Sequence, residues 1–155
     1  QRAIHNGYRR QRQMCIRGRG KVVIVSGIGP GLGQALAVEA ARQGAAVAMC
    51  ARTPAKLEEA EREILALGVD TPILKVATDI SDREQCKALV AQTIARFGRI
   101  DVLFNSAYNP GSFEPIEVAN LDSWRAAMDV NLFGTMALTL EVVPHMKAQG
   151  GGRLS

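Results

Sequence analysis

Cysteine is scarce in this 155-residue chain: Cys15, Cys50 and Cys86 are an odd number, widely spaced, with no CxxC pair and no neighbouring histidine cluster. That spacing excludes a disulfide framework and a zinc-type cluster, and it predicts structural thiols kept reduced in a cytoplasmic protein. No apolar stretch reaches the roughly 18 residues of a membrane-spanning helix. The first twenty residues also lack the apolar run of about 7–15 residues that a secretory signal needs, so neither membrane nor export is expected. Acidic residues are missing from residues 1–21, where Arg2, Arg9, Arg10, Arg12, Arg17, Arg19 and Lys21 give +7. The rest of the chain carries −3, so the formal net charge of +4 conceals a mildly acidic body. Residues 1–20 are accordingly expected to form a basic, disordered arm, and residues 21–155 one domain. At 47% hydrophobic residues the chain has enough apolar surface for a core of its own.

What is present is a strict alternation. Lys21–Ser26 is a β-branched run closed by glycine and predicts a buried strand. A helix over Gly31–Gln43, with apolar Leu32, Leu36, Val38 and Ala40, leaves the glycine loop directly and stops at Gly44. Ala45–Ala51 is the second apolar run. Pro54 then stands where a helix can begin, ahead of the charged stretch Lys56–Leu67, with Gly68 closing it. Ile73–Ala77 predicts a third strand, Asp82–Phe97 a third helix with Leu89, Val90 and Ile94 inward, and Ile100–Phe104 a fourth strand. Asn105–Asn120 is a loop rich in Gly, Pro and Asn, followed by Leu121–Gln149 as two helices or one with a break near Asn131 and Gly134. Short apolar strands joined by amphipathic helices imply parallel pairing through right-handed crossovers. The fold class is α/β, a doubly wound parallel sheet.

The segment Ser26-Gly27-Ile28-Gly29-Pro30-Gly31-Leu32-Gly33 joins the first strand to the first helix. Glycines there allow a tight turn and close approach to a pyrophosphate, met by free N–H groups and the positive end of a helix dipole. The spacing departs from GxGxxG, since Leu32 stands where that pattern needs glycine. It also departs from a Walker loop, since Gly33-Gln34-Ala35 replaces Gly-Lys-Ser/Thr. After the second strand, Cys50-Ala51-Arg52-Thr53 lacks the acid that holds a ribose 2′-hydroxyl in NAD sites. Arg52 either offers its guanidinium to a 2′-phosphate, favouring NADP, or points to solvent. The missing acid also weakens a methyltransferase reading.

These residues resemble the classical short-chain dehydrogenase/reductase family over Lys21 to about Gly152. Ser26-Gly27-xxx-Gly31-Leu32-Gly33 is similar to the family's TGxxxGxG, with Gly29 and Pro30 inside the loop. Asp79-Ile80 after the third strand looks like the family's adenine-contacting Asp. Asn105-Ser106-Ala107 corresponds to Asn-Asn-Ala-Gly, with Ser106 for Asn and Tyr108 for Gly. Asp129-Val130-Asn131 fits the family's helical asparagine, a member of its catalytic tetrad that supports a proton-relay water. The resemblance implies a Rossmann-type fold, NADP or NAD as cofactor, an alcohol or carbonyl substrate, and a homodimer or homotetramer built on the helix after Asn131. Tyr108 offers itself either to a substrate pocket or to packing on the sheet rim.

The family's catalytic Ser and Tyr-xxx-Lys have no counterpart here. Tyr8 and Tyr108 are the only tyrosines, and Arg12 and Ser112 stand four residues after them. Ser155 falls two residues into the expected fifth strand and reads as a strand residue. The chain is therefore expected to be an N-terminal fragment of an oxidoreductase, truncated after the fourth strand and following helices, and inactive alone. Two other classes compete with this reading: a non-catalytic dinucleotide-binding module or pseudoenzyme, and a nucleic-acid binder acting through the basic arm. A solvated tail or translated upstream sequence explains that arm without a partner, so no nucleic acid is expected.

Overall fold

The computed structural model describes residues 18–155; the expected arm lies almost wholly outside the described residues, as does Cys15. Five parallel strands form one sheet in the order β3-β2-β1-β4-β5: β1 Val22–Ser26, β2 Ala46–Ala51, β3 Ile73–Ala77, β4 Val102–Asn105 and β5 Arg153–Leu154. Helices α1 Leu32–Arg42, α2 Pro54–Ala66 and α3 Arg83–Phe97 make the crossovers. Between β4 and β5 run a single 3₁₀ turn at Ile116–Val118, α4 Leu121–Met128, a π-turn Asp129–Gly134 and α5 Thr135–Ala148.

The local reasons follow the sequence. All five residues of β1 are buried because both sheet faces are covered. Val23 and Val25 point into one core with Val47, Met49, Ala37 and Ile64, under α1 and α2. Ile24 points into the other with Cys50, Leu89, Leu103 and Leu138, under α3 and α5. Asp82 caps α3 by accepting from the N–H groups of Glu84 and Gln85 at 2.9 and 3.2 Å, and Gly98, at φ +76°, ends that helix.

In α1 the buried face is Gly33, Ala37, Val38 and Ala41, whereas Leu32, the first helical residue, is 69% exposed. The interruption expected near Asn131 and Gly134 is the π-turn Asp129–Gly134, which joins α4 to α5 in one continuous helical path. That 28-residue helix is also long and apolar enough to cross a membrane by length and composition, with a mean hydropathy of 1.3 in its most apolar window. The earlier count of uninterrupted apolar residues misses this because scattered polar residues interrupt the window. Packing of Leu138, Val142 and Met146 against the sheet accounts for one side of it; Trp124, Phe133, Met136 and Leu140 remain exposed on the other.

At the end of the sheet opposite the glycine loop, Asp101 ties three strands together. Its carboxylate accepts from Val22 N–H at 3.0 Å, Lys21 Nζ at 2.9 Å and both Arg99 Nε and Nη2 at 2.8 and 2.7 Å. Its backbone pairs with Val22 and Arg153. Burial pushes the carboxyl's pKa up, but the hydrogen bonds from Arg99, Lys21 and Val22 outweigh it and hold the value at about 2, below the ordinary 3.8. A lowered folded value means stability that is complete above about pH 4 and lost as pH falls through about 2. Asp101→Asn is expected to cost on the order of 2 kcal/mol at neutral pH and to flatten the acid limb between about pH 4 and 2, measured by urea unfolding across pH. An unchanged acid limb would refute the assignment.

Candidate functional site

β1 ends at Ser26 and the chain turns at Gly27, where φ is +81°. A Cβ at Gly27 would collide with the backbone N and Cα of Ala107, so the loop after β1 crosses the loop after β4 at backbone contact. The N–H groups of Gly27 and Ile28 both donate to Cys50 O, at 2.9 and 3.0 Å, and Ser106 N–H donates to Ser26 O at 3.1 Å. Gly33 fills the same crossing: a Cβ there would run into Gly27 O and lie 2.7 Å from Ser106 Oγ.

Gly31 differs from both. It has φ +125° and only open space where a Cβ would stand. Ala35 N–H makes the first helical bond, to Gly31 O at 3.1 Å, so the amides of Leu32, Gly33 and Gln34 have no partner within the helix. No acidic side chain occupies this first turn. Free amides, a positive helix end and bare backbone fit an anion such as a pyrophosphate.

Beside the loop opens a cleft of about 360 Å³, built from the turns after four strands: Gly27–Pro30, then Ala51, Arg52, Thr53 and Lys56, then Thr78–Ile80, then Ser106–Tyr108 with Val130. It lies where the strand order reverses across β1, the place open parallel sheets offer to ligands. Of the residues expected from sequence, Gly27, Gly29, Pro30, Arg52, Asp79, Ile80, Ser106 and Ala107 line it. Ser26 is fully buried beneath, its Oγ without a hydrogen-bond partner. Asn105 donates through Nδ2 to Thr139 Oγ1 at 3.3 Å, while its buried Oδ1 has no partner.

The cleft is electrostatically two-sided. Asp79 Oδ1 accepts from Ser81 N–H and Oγ at 3.0 and 2.7 Å, and Asp79 N–H donates to Gln85 Oε1 at 2.8 Å. The acid is thus fixed by its own turn. Arg52 and Lys56 are exposed cations with no carboxylate partner among the described residues. Cys50, under the turn, is neutral: burial pushes its thiol up to about 12. Cys86 behaves likewise, at about 11, again through burial, and both thiols are free. Sequence reasoning missed Lys56. The available signal was its place in the first turn of α2, directly after the turn that carries Arg52.

Asn131 sits in the π-turn, and its side chain is fully engaged. Oδ1 accepts from Asn109 N–H and Nδ2 donates to Asn109 O, both at 2.8 Å. Asn109 Oδ1 in turn accepts from Gly111 N–H at 3.0 Å. The two bonds of Asn131 hold the long loop after β4 against the π-turn. Gly134 in the same turn has Ile80 O 2.7 Å from where its Cβ would be, so the helix backbone presses on the turn that carries Asp79. Tyr108 stands 70% exposed at the cleft's rim.

Residues 21–154 match the short chain dehydrogenase family. Over 132 residues the chain is 34% identical to 11-beta-hydroxysteroid dehydrogenase A of Sesamum indicum, covering 85% of this chain and 38% of that protein. The crystal structure of NAD+-bound xylitol dehydrogenase superposes with a TM-score of 0.84 at 29% identity, covering 90% of this chain and 53% of that one. A metagenomic short-chain oxidoreductase in complex with NADP superposes with a TM-score of 0.82 at 32% identity, covering 90% of this chain and 62% of that one. The chain thus spans less than two thirds of each of these proteins. Its parallel sheet, its glycine crossing at the switch point and the match over nearly its whole described length place it together: the chain belongs to the short-chain dehydrogenase family.

Proposed function

We propose that the cleft binds a nicotinamide dinucleotide, NADP in preference to NAD, and that the chain supplies the cofactor-binding part of an oxidoreductase interconverting an alcohol and a carbonyl. The observation that carries the reading is the cleft itself: bare glycine backbone and free helix amides on one side, an unpaired Arg52 and no acid after β2 on the other. Ser26, Gly27, Gly29, Pro30, Gly31, Leu32 and Gly33 form or support the pyrophosphate cradle. Arg52 meets the 2′-phosphate, since a guanidinium pairs with phosphate in a fork and needs no proton exchange to stay charged. Asp79 and Ile80 border the adenine. Asn105, Ser106 and Ala107 wall the nicotinamide ribose, and Asn131 acts by holding that wall through Asn109.

A bound nicotinamide supplies the hydride donor or acceptor. Proton transfer to the carbonyl oxygen needs a group tuned near neutral pH, and the 155 residues contain no Tyr-xxx-Lys. The chain alone is therefore expected to bind without turnover. We assign the exposed apolar side of α4 and α5 to contact between copies, as a homodimer or homotetramer, because an apolar surface of that extent on a sheet-packed helix calls for cover.

Titration of NADPH and then NADH into the full chain, followed by nicotinamide fluorescence with circular dichroism on the same sample, is expected to show NADPH binding at least about tenfold tighter. A folded chain binding neither would overturn the proposal, and NADH binding as tightly would overturn the NADP preference. Asn131→Ala removes two hydrogen bonds and is expected to raise amide exchange at Asn109 and Gly111 roughly tenfold or more, with β1 and β2 amides unaffected. Equal acceleration throughout would mean global destabilisation and no clamp. Phe133→Glu is expected to shift the chain to a smaller species in size-exclusion chromatography with light scattering; a monomeric unsubstituted chain would sink the assembly assignment.

A further inference from the structure

We infer that the phenol ring of Tyr108 stacks on the nicotinamide ring of a dinucleotide bound in the cleft, so that this side chain sets how tightly the nicotinamide half is held. The inference rests on the dinucleotide reading above and adds a residue that reading left without a role. The sequence leaves two places open for this tyrosine, a ligand pocket or packing on the rim of the sheet. The structure excludes the second: Tyr108 is 70% exposed and belongs to neither core cluster, and it lines the cleft together with Ala107 and Val130.

A single exposed aromatic would say little by itself. The backbone that carries this one says more. Before it, Ala107 presses its N and Cα against Gly27, where no Cβ fits. After it, Asn109 has both its N–H and its O bonded to the Asn131 side chain at 2.8 Å. Pro110 follows with a fixed φ, and the place of a Cβ at Gly111 lies 3.3 Å from Ala127 Cβ. The ring thus stands on a stretch of loop tied down on both sides. A tyrosine has two side-chain torsions, so a ring placed this way gives up little conformational freedom when it meets a ligand.

The cleft also sorts its chemistry along its length. The turns after β2 and β3 bring Arg52, Lys56 and Asp79, whereas the β4 side brings Ala107, Tyr108 and Val130 and no charged side chain. The glycine cradle lies between these ends, at β1 in the order β3-β2-β1-β4. A dinucleotide has the same layout, a ring at either end of a charged pyrophosphate. With the phosphates at β1 and the adenine bordered by Asp79 and Ile80, the ring left for the β4 side is the nicotinamide. In its oxidised form it is a cationic aromatic ring, the partner that the negative face of a tyrosine attracts best.

The test compares the unsubstituted chain with Tyr108→Ala and Tyr108→Phe, each checked for fold by circular dichroism. Calorimetry follows NADP+, NAD+ and 2′,5′-ADP, the last of which lacks the nicotinamide half. Tyr108→Ala is expected to weaken NADP+ and NAD+ by the same factor, roughly tenfold, and 2′,5′-ADP by less than about twofold. Tyr108→Phe, which keeps the ring, is expected to stay within about twofold for all three. Tyr8 and Tyr108 are the only tyrosines, so their ring signals in NMR are told apart by Tyr108→Phe. NADP+ is expected to move the Tyr108 signal upfield, and 2′,5′-ADP to leave it in place. An equal loss for NADP+ and 2′,5′-ADP would put Tyr108 on the adenine half and overturn the stack, as would unchanged affinities with an unmoved ring signal. If the unsubstituted chain is folded and binds neither dinucleotide, the dinucleotide reading falls and takes the stack with it. If it binds them and Tyr108→Ala binds them as tightly, only the stack falls.

Discussion

The turn after β1 and the turn after β4 meet with no side chain between them, and the cleft exists because of that contact. Gly27 abuts Ala107, and Gly33 packs against Gly27 O and Ser106. Strands β1 and β4 are neighbours in the sheet, yet the chain leaves β1 towards α1 on one face and leaves β4 towards a helix on the other. Their loops therefore part in opposite directions from a shared starting point, and the gap between them is the cleft. Any Cβ at Gly27 would push the two loops apart, misplacing the α1 amides and the Ser106–Ala107 wall together. The loop glycines thus have separate jobs: Gly27 and Gly33 permit backbone contact, whereas Gly31 leaves space open to a ligand.

The opposite end of the sheet is organised by charge. Asp101 gathers Lys21, Arg99 and Val22 N–H around one nearly buried carboxylate, so basic side chains there are spent on fixing strand register. On β3, Lys75 is likewise held by Glu58 and Glu61. Arg52 and Lys56 have no carboxylate partner among the described residues, as is also true of Arg62, Arg96, Lys147 and Arg153; what distinguishes the first two is that they line the cleft.

Much of this was legible in the residues. The strand runs, the glycine loop and the helix stops are local signals, and the parallel sheet follows from them because short buried strands with helical crossovers have few other ways to pack. Arg52 and Asp79 could be placed at the cleft because the ends of β2 and β3 could. What escaped depended on angle or on distant partners. Leu32 reads as an apolar helix residue, but only the helix's rotation against the sheet shows that Ala37 and Ala41 take the buried side. Lys56 reads as one charge in a charged helix until the return of its side chain over Gly29 is seen. Asp101 reads as an ordinary charge at a strand entrance, and its four donors come from three separate residues. Asn131 was found by motif, whereas its bond to Asn109 belongs to a loop whose path no periodicity specifies.

The helix from Leu121 to Ala148 brings these parts into one mechanical unit. Its inner face, Leu138, Val142 and Met146, is anchored in the core beside β4. Its π-turn bulges towards the cleft, so that Asn131 reaches the β4 loop, Val130 reaches the cleft and Gly134 meets Ile80 O. The i→i+5 bonding of the π-turn widens the helix at this point, where all three contacts are made. On the outer side, Phe133 and Met136 belong to the same turn of chain and are exposed. Cover on that outer face would restrain the bulge from behind, and a restrained bulge holds both the Asn109 loop and the Asp79 turn. The six residues Asp129–Gly134 are thus the one stretch of this helix that meets both walls of the cleft on its inner side while carrying the exposed Phe133 on its outer side.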